Sequence, residues 1–116
     1  MKRDMELIRL LLLEVEGDEK PDLNKYSQDQ QVYHMALLIE AELVKGAVID
    51  DQDGITRSVI PIRLTWKGHE FLDAARNPSI WNKAMDKMKS AGASLPLPVI
   101  QDLLISALKK AVGLGD

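Results

Sequence analysis

Gly46-Ala47-Val48-Ile49-Asp50-Asp51-Gln52-Asp53-Gly54, continued by Arg57-Ser58-Val59-Ile60-Pro61-Ile62-Arg63-Leu64, is where the chain changes from a helical to an alternating period. Residues 47–50 read as a strand and 51–54 as a turn in which glycine supplies a positive φ. Residues 57–64 read as a returning strand with Ile60, Ile62 and Leu64 on one face. Pro61 has no N–H to give a ladder, so the returning strand keeps an open edge, as a hairpin sheet of two or three strands allows.

Upstream the period is helical. Asp4 can cap a helix over 5–16 whose apolar positions are Leu7, Ile8, Leu11, Leu12 and Val15, with Gly17 at its stop. Residues 18–26 are polar and read as loop. Ser27-Gln28-Asp29-Gln30 has the capping-box form, in which serine takes the amide at Gln30 and the Gln30 side chain returns to that of Ser27. A long helix over 28–45 starts there, with Val32, Met35, Ala36, Ile39 and Leu43 as its inner stripe, Leu37 and Leu38 widening it, and Gly46 as its left-handed end. Gln30, Gln31 and His34 fall among its outward positions.

Downstream, Thr65 caps a short helix with Phe71, Leu72 and Ala75, and Asn77-Pro78 closes that helix and opens another. The new helix runs over 78–91 to Gly92, with Ile80, Trp81, Ala84, Met85 and Met88 on one face. After Leu95-Pro96-Leu97-Pro98 a last helix carries Val99, Ile100, Leu103, Leu104, Ala107, Leu108 and Ala111, and residues 113–116 should fray.

Helix, short connector, longer helix, hairpin, helix is the order of a winged helix-turn-helix. The expected class is therefore α+β, mostly α, with a two- or three-stranded wing. A winged-helix domain over 1–76 is followed by a C-terminal helical extension over 77–116, which packs on the same core or forms a dimer contact. A chain of 116 residues, 46% hydrophobic and 28% charged, is ordinary for one soluble globular unit. It has no cysteine, which excludes disulfides and thiolate chemistry and fits a reducing, cytoplasmic setting. Its apolar runs, residues 10–13 and 35–39, are too short to span a bilayer, and no signal peptide is read.

The segment Leu64-Thr65-Trp66-Lys67-Gly68-His69-Glu70-Phe71-Leu72 resembles the L-T-x-x-G-x-x-[FY]-L run that follows the wing in many winged-helix proteins. More widely, Met1-Lys2-Arg3-Asp4-Met5-Glu6-Leu7-Ile8-Arg9, Tyr33-His34 with Leu37-Leu38, and Ile80-Trp81-Asn82-Lys83 are similar to an uncharacterised family of small winged-helix proteins of bacteria and prophages. That resemblance implies a fold and a phage or bacterial context, and no activity. Ala41-Glu42-Leu43-Val44 departs from its A-G-L-[IV] helix end by holding glutamate where glycine is expected.

Gln30, Gln31 and His34 on the second helix, with Arg57 and Arg63 on one face of the returning strand, are the candidate contacts to a partner or to DNA; the alternative for His34 is a hydrogen bond to the neighbouring loop that fixes the helix, and for the two arginines a solvated wing face. Trp66 and Trp81, with His69, read as packing. Two histidines with no supporting cysteine do not make a metal site, and Asp51-x-Asp53-Gly54 would place a calcium loop's first ligand at Ile49. No nucleophile–base spacing or phosphate-binding glycine loop is present, so neither an enzyme, a cofactor nor a small-molecule substrate is expected.

Charge then separates protein from DNA as partner. Residues 18–53 hold 3 basic and 9 acidic groups, a balance of −6, whereas residues 54–116 hold 9 and 5, a balance of +4. The acidic block covers the helix and wing turn that would meet phosphates, the wrong sign for counterion release. The reading is thus a non-catalytic winged-helix adaptor or regulator of phage or prophage association acting through protein contacts. Its partner is another protein or a second copy, with Ile100, Leu103, Leu104 and Leu108 as the dimer contact. The alternative is a DNA-binding transcriptional regulator using helix 28–45 and the wing.

Overall fold

The computed structural model describes residues 1–92 and 95–114, so the fraying expected at 113–116 lies partly outside them. The order is α1 (Met5–Glu16), α2 (Gln28–Glu40), β1 (Val44–Asp50), β2 (Thr56–Leu64), α3 (Trp66–Ala75), α4 (Pro78–Ala91) and α5 (Leu97–Ala111). The class is α+β and mostly helical, with a two-stranded antiparallel sheet. The chain packs as two compact units, Met1–His69 and Glu70–Asp116. Among the described residues, no helix is long and apolar enough to cross a membrane.

In the first unit, the Asp4 carboxylate accepts from the Leu7 amide to start α1, and Gly17 ends it at φ 88°. Leu7, Ile8, Leu11, Leu12 and Leu13 are buried along α1, each worth about 1.5–3 kcal/mol relative to exposure. They pack with Met35 and Leu38 of α2 and with the strand roots Val44 and Leu64 in the layer formed by α1, α2 and the hairpin. The Ser27 capping box is complete: the Gln30 amide donates to Ser27 Oγ at 3.1 Å and the Ser27 amide to Gln30 Oε1 at 2.8 Å.

The expected end of α2 is corrected. The helix stops at Glu40 rather than at 45, and the left-handed residue is Glu42 (φ 64°), not Gly46. Left-handed backbone turns the chain so that Leu43 and Val44 enter β1 buried, and the Leu43 amide donates to the Leu38 carbonyl. The glycine pattern noted above therefore marks a real conformational demand that glutamate meets under strain of about 1–2 kcal/mol. Glu42→Gly is expected to raise stability by about 0.5–1 kcal/mol, the relief being partly offset by the greater freedom of unfolded glycine; calorimetric melting checks the sign.

Gly46 has a different task. It lies inside β1 opposite Pro61, where an ideal Cβ would stand 2.4 Å from the Ile60 carbonyl oxygen and 3.0 Å from Ile39 Cδ1. The side of the sheet that carries Gly46 therefore faces α2. The register runs Val44↔Leu64, Lys45↔Arg63, then Gly46↔Pro61, and again from Ile49↔Ser58 to Asp50↔Thr56, so β2 carries two extra residues, Ile62 and Arg57.

Those bulges break the count by two on which the strand faces were read. Of Ile60, Ile62 and Leu64 only Leu64 is buried; Ile60 is 53% and Ile62 63% exposed.

In the second unit, the Asn77 side chain accepts from the Ser79 and Ile80 amides and Pro78 opens α4, which ends at left-handed Gly92. α5 packs against α4. Phe71 meets Trp81 edge to face at 6.5 Å, and Leu72, Ala75, Ile80 and Ala84 are buried. Ile100 and Leu104 are also buried, at 0% and 1% exposure. They are thereby withdrawn from the dimer contact expected of them, and Leu103 and Leu108 are half-buried beside them.

Candidate functional site

The α2 residues singled out as outward contacts are engaged inside the first unit. Gln30 closes the capping box. Gln31 Nε2 donates to the Tyr26 carbonyl at 3.1 Å and reaches the Leu23 carbonyl at 3.4 Å, holding the 18–26 connector to the helix. His34 is fully buried rather than outward. Its Nε2 accepts from the Asp4 backbone N–H at 2.8 Å, which fixes the tautomer and leaves Nδ1–H to donate to the Gln30 carbonyl at 2.8 Å. Both ring nitrogens are satisfied, which is what allows an imidazole to be buried. With Ser27 Oγ occupied as a helix cap, Ser27, Asp29 and His34 do not assemble into a nucleophile and base.

Arg57 and Arg63 are exposed but do not share a strand face in the way their spacing implies, since Arg57 is itself a bulge residue and a second bulge at Ile62 intervenes. Arg57 turns to the hairpin tip, where Nη2 lies 2.7 Å from Asp51 Oδ2. Arg63 Nη1 donates to the neighbouring Leu64 carbonyl at 3.1 Å.

Asp51 organises that tip. Its Oδ1 accepts the amides of Asp53 and Ile55, both at 2.9 Å, the turn reading of this aspartate-glycine stretch. The Ile55 amide is the largest influence on the Asp51 carboxyl and lowers it from its ordinary 3.8; desolvation opposes that, and the Arg57 side chain and the Asp53 amide add to the lowering, so that it stays below 3.8. A depressed carboxylate contributes stability that is present above the ordinary value and lost as pH falls through the lowered folded value. The Asp51 side-chain carbon resonance should therefore titrate below 3.8 in the folded protein and return to it in Arg57→Ala combined with urea. Among the described residues, no group of three His, Cys, Asp or Glu side chains is placed to hold a metal ion.

What the first unit does display is a set of exposed apolar side chains on the hairpin and just after it. Val48, Ile49, Ile55, Ile60 and Ile62 are exposed, and Trp66, expected to pack, is 81% exposed. The reason lies in α3: Gly68, Phe71, Leu72 and Ala75 form its buried stripe, and Trp66, two residues before Gly68, points about 200° away from it. His69 is exposed as well. Trp66 overlooks a shallow concavity lined by Ile39, Glu42, Val44, Lys45 and Lys67. A second cleft, of about 650 Å³, lies between the start of α2 and the hairpin, with Asp29, Val32, Tyr33, Ile55 and Arg57 on its walls.

Sequence reasoning missed this surface because it assigned hydrophobic strand residues to a core. The available signal was arithmetic: a two-stranded hairpin offers more aliphatic side chains than one helix can cover.

The acidic groups frame that surface. Asp29, Glu40, Glu42, Asp50 and Asp53 are all exposed around α2 and the hairpin tip, while Lys45, Arg63 and Lys67 are exposed at the hairpin root.

Residues 2–94 match the model of a family described as "Hypothetical protein (DUF2513)". A protein of Haemophilus influenzae, described as "Uncharacterized protein", is 34% identical over 110 residues, covering 89% of this chain and 92% of its own length. No solved structure matches the chain.

Proposed function

We propose, for a chain that belongs to the DUF2513 family of hypothetical proteins, a non-catalytic winged-helix adaptor that acts through protein contacts made by its hairpin. The winged-helix reading is supported by the element order, with α2 in the place of the helix that would enter a groove and the β1–β2 hairpin as the wing. The phage or prophage setting and the cytoplasmic location rest on the resemblance and the absence of cysteine described above.

One observation carries the choice of partner: the hairpin exposes aliphatic side chains, with Trp66 exposed just beyond it at the start of α3, and the charges around its tip and along α2 are mostly acidic. Duplex DNA asks for the reverse, several free cations aimed at phosphates with polar groups aimed at base edges. Here Gln30, Gln31 and His34 are tied to the chain's own backbone, and Arg57 is paired with Asp51. Exposed apolar patches of this kind mark protein contacts.

The test is fluorescence anisotropy of a labelled mixed-sequence duplex titrated with protein at low and at moderate salt. The expected result is no saturable binding at protein concentrations up to about 100 µM, within the range where non-specific DNA binders already bind. Micromolar binding that weakens steeply with salt would return the DNA-regulator reading.

A further inference from the structure

The two edges of the hairpin differ. β2 is unsuited to accept another strand at its outer edge, because Pro61 offers no N–H there and the bulges at Arg57 and Ile62 interrupt its regular spacing. β1 runs over Val44–Asp50 with no proline and pairs with β2 alone among the described residues. Its stretch Gly46–Ile49 carries no charge, and Ala47, Val48 and Ile49 are exposed. Charge is polarised along the same edge: Lys45, opposite Arg63, stands at the root with Lys67 lining the same concavity, and Asp50, Asp51 and Asp53 stand at the tip.

We propose that β1 is a self-association edge at which a second copy of this chain adds its own β1 antiparallel, giving a four-stranded sheet in the order β2-β1-β1-β2 about a two-fold axis. This rests on the protein-contact reading and names its partner. Antiparallel addition of identical strands lays the tip of one against the root of the other, so the charge polarity becomes complementary only in this arrangement. The alternating ladder of an antiparallel pair requires the two-fold axis to pass through one residue pair, and the middle of β1 offers Ala47 or Val48. In either register Lys45 lies opposite, or one place from, Asp50 or Asp51 of the second copy. The same addition joins the Ala47, Ile49 and Ile60 faces of both copies into one continuous aliphatic surface. A strand of this length spans about 20 Å, so the contact is at the small end of protein interfaces and exchanges in the micromolar range.

Sedimentation velocity over about 10–300 µM protein reads the prediction. The wild-type chain should pass from monomer toward dimer, Lys45→Glu should stay monomeric over the same range, and Lys45→Glu with Asp50→Lys should dimerise again. Asp50 also accepts from the Thr56 hydroxyl, so melting curves accompany the double variant, and a second route avoids that residue altogether. The chain has no cysteine, so single cysteines at Ala47, Val48 and Gln52 can be oxidised with diamide. Cross-linking at Ala47 or Val48 and not at the tip residue Gln52 supports the two-fold pairing.

A wild-type chain that stays monomeric, a Lys45→Glu dimer as strong as wild type, or cross-linking strongest at Gln52 overturns it. A monomer that also ignores DNA overturns only this inference, whereas salt-sensitive binding to duplex overturns the protein-contact reading beneath it.

Discussion

Gly68→Ala is expected to destabilise the protein by about 3 kcal/mol and to lower its melting temperature by roughly 10 °C or more, although glycine to alanine inside a helix ordinarily stabilises by about 1 kcal/mol. The sign reverses because of what the new methyl meets. An ideal Cβ on Gly68 would lie 2.0 Å from the Leu43 carbonyl oxygen and 3.0 Å from its carbon, both backbone atoms that no rotamer change can move. That oxygen is the acceptor for the Thr65 amide at 3.0 Å and is shared by the Thr65 hydroxyl at 3.2 Å, while the Gly68 amide donates to Thr65 Oγ at 2.9 Å. Relieving the clash pulls the first turn of α3 off the entry to β1 and strains three hydrogen bonds at once. Thermal melting of Gly68→Ala beside an exposed-site control decides the matter; a variant as stable as wild type would refute the close approach.

His34→Leu is the second large effect, expected to cost about 2–4 kcal/mol while conserving most of the buried volume. Leucine leaves the Asp4 amide and the Gln30 carbonyl without the partners that the imidazole supplies. The loss falls where the start of α1 is fastened to α2, so the α1 amides should exchange faster than those of the second unit. If His34 were instead a surface contact residue, His34→Leu would be near neutral, within about 0.5 kcal/mol, and exchange would be unchanged.

These two residues also show where the sequence was legible. Asp4, Ser27, Thr65 and Asn77 each cap a helix through amides two or three residues away, and information that local survives without tertiary context. The glycine of the run that follows the wing, Gly68, stands where α3 passes closest to Leu43. The end of α2 was misplaced because a glycine at 46 competes with a glutamate at 42 as the left-handed residue, and the decision depends on where Leu43 and Val44 can be buried.

The strand faces were hidden for a related reason. Neither bulge has a sequence marker of its own, so Arg57 and Arg63 look like a pair and Ile60 and Ile62 look like core. Trp66 leaves the packing role expected of it for the surface, while His34 takes the structural hydrogen-bonding role that stood as the alternative to a contact. Burial follows hydrogen-bond satisfaction for His34 and the phase of α3 for Trp66. The candidate contact residues on α2 were thus chosen by type, while the surface that presents itself is set by what one helix can cover.

The proposed contact face is the hairpin with Trp66, and not α2. Nitrogen-15 amide spectra test it most directly, recorded on one sample as protein concentration is raised and then as duplex DNA is added. Raising the concentration should shift the amides of β1 and the Trp66 indole N–H, and adding duplex should move nothing further. Shifts produced by duplex along α2 and the hairpin tip, with no change on concentrating the protein, would contradict the account.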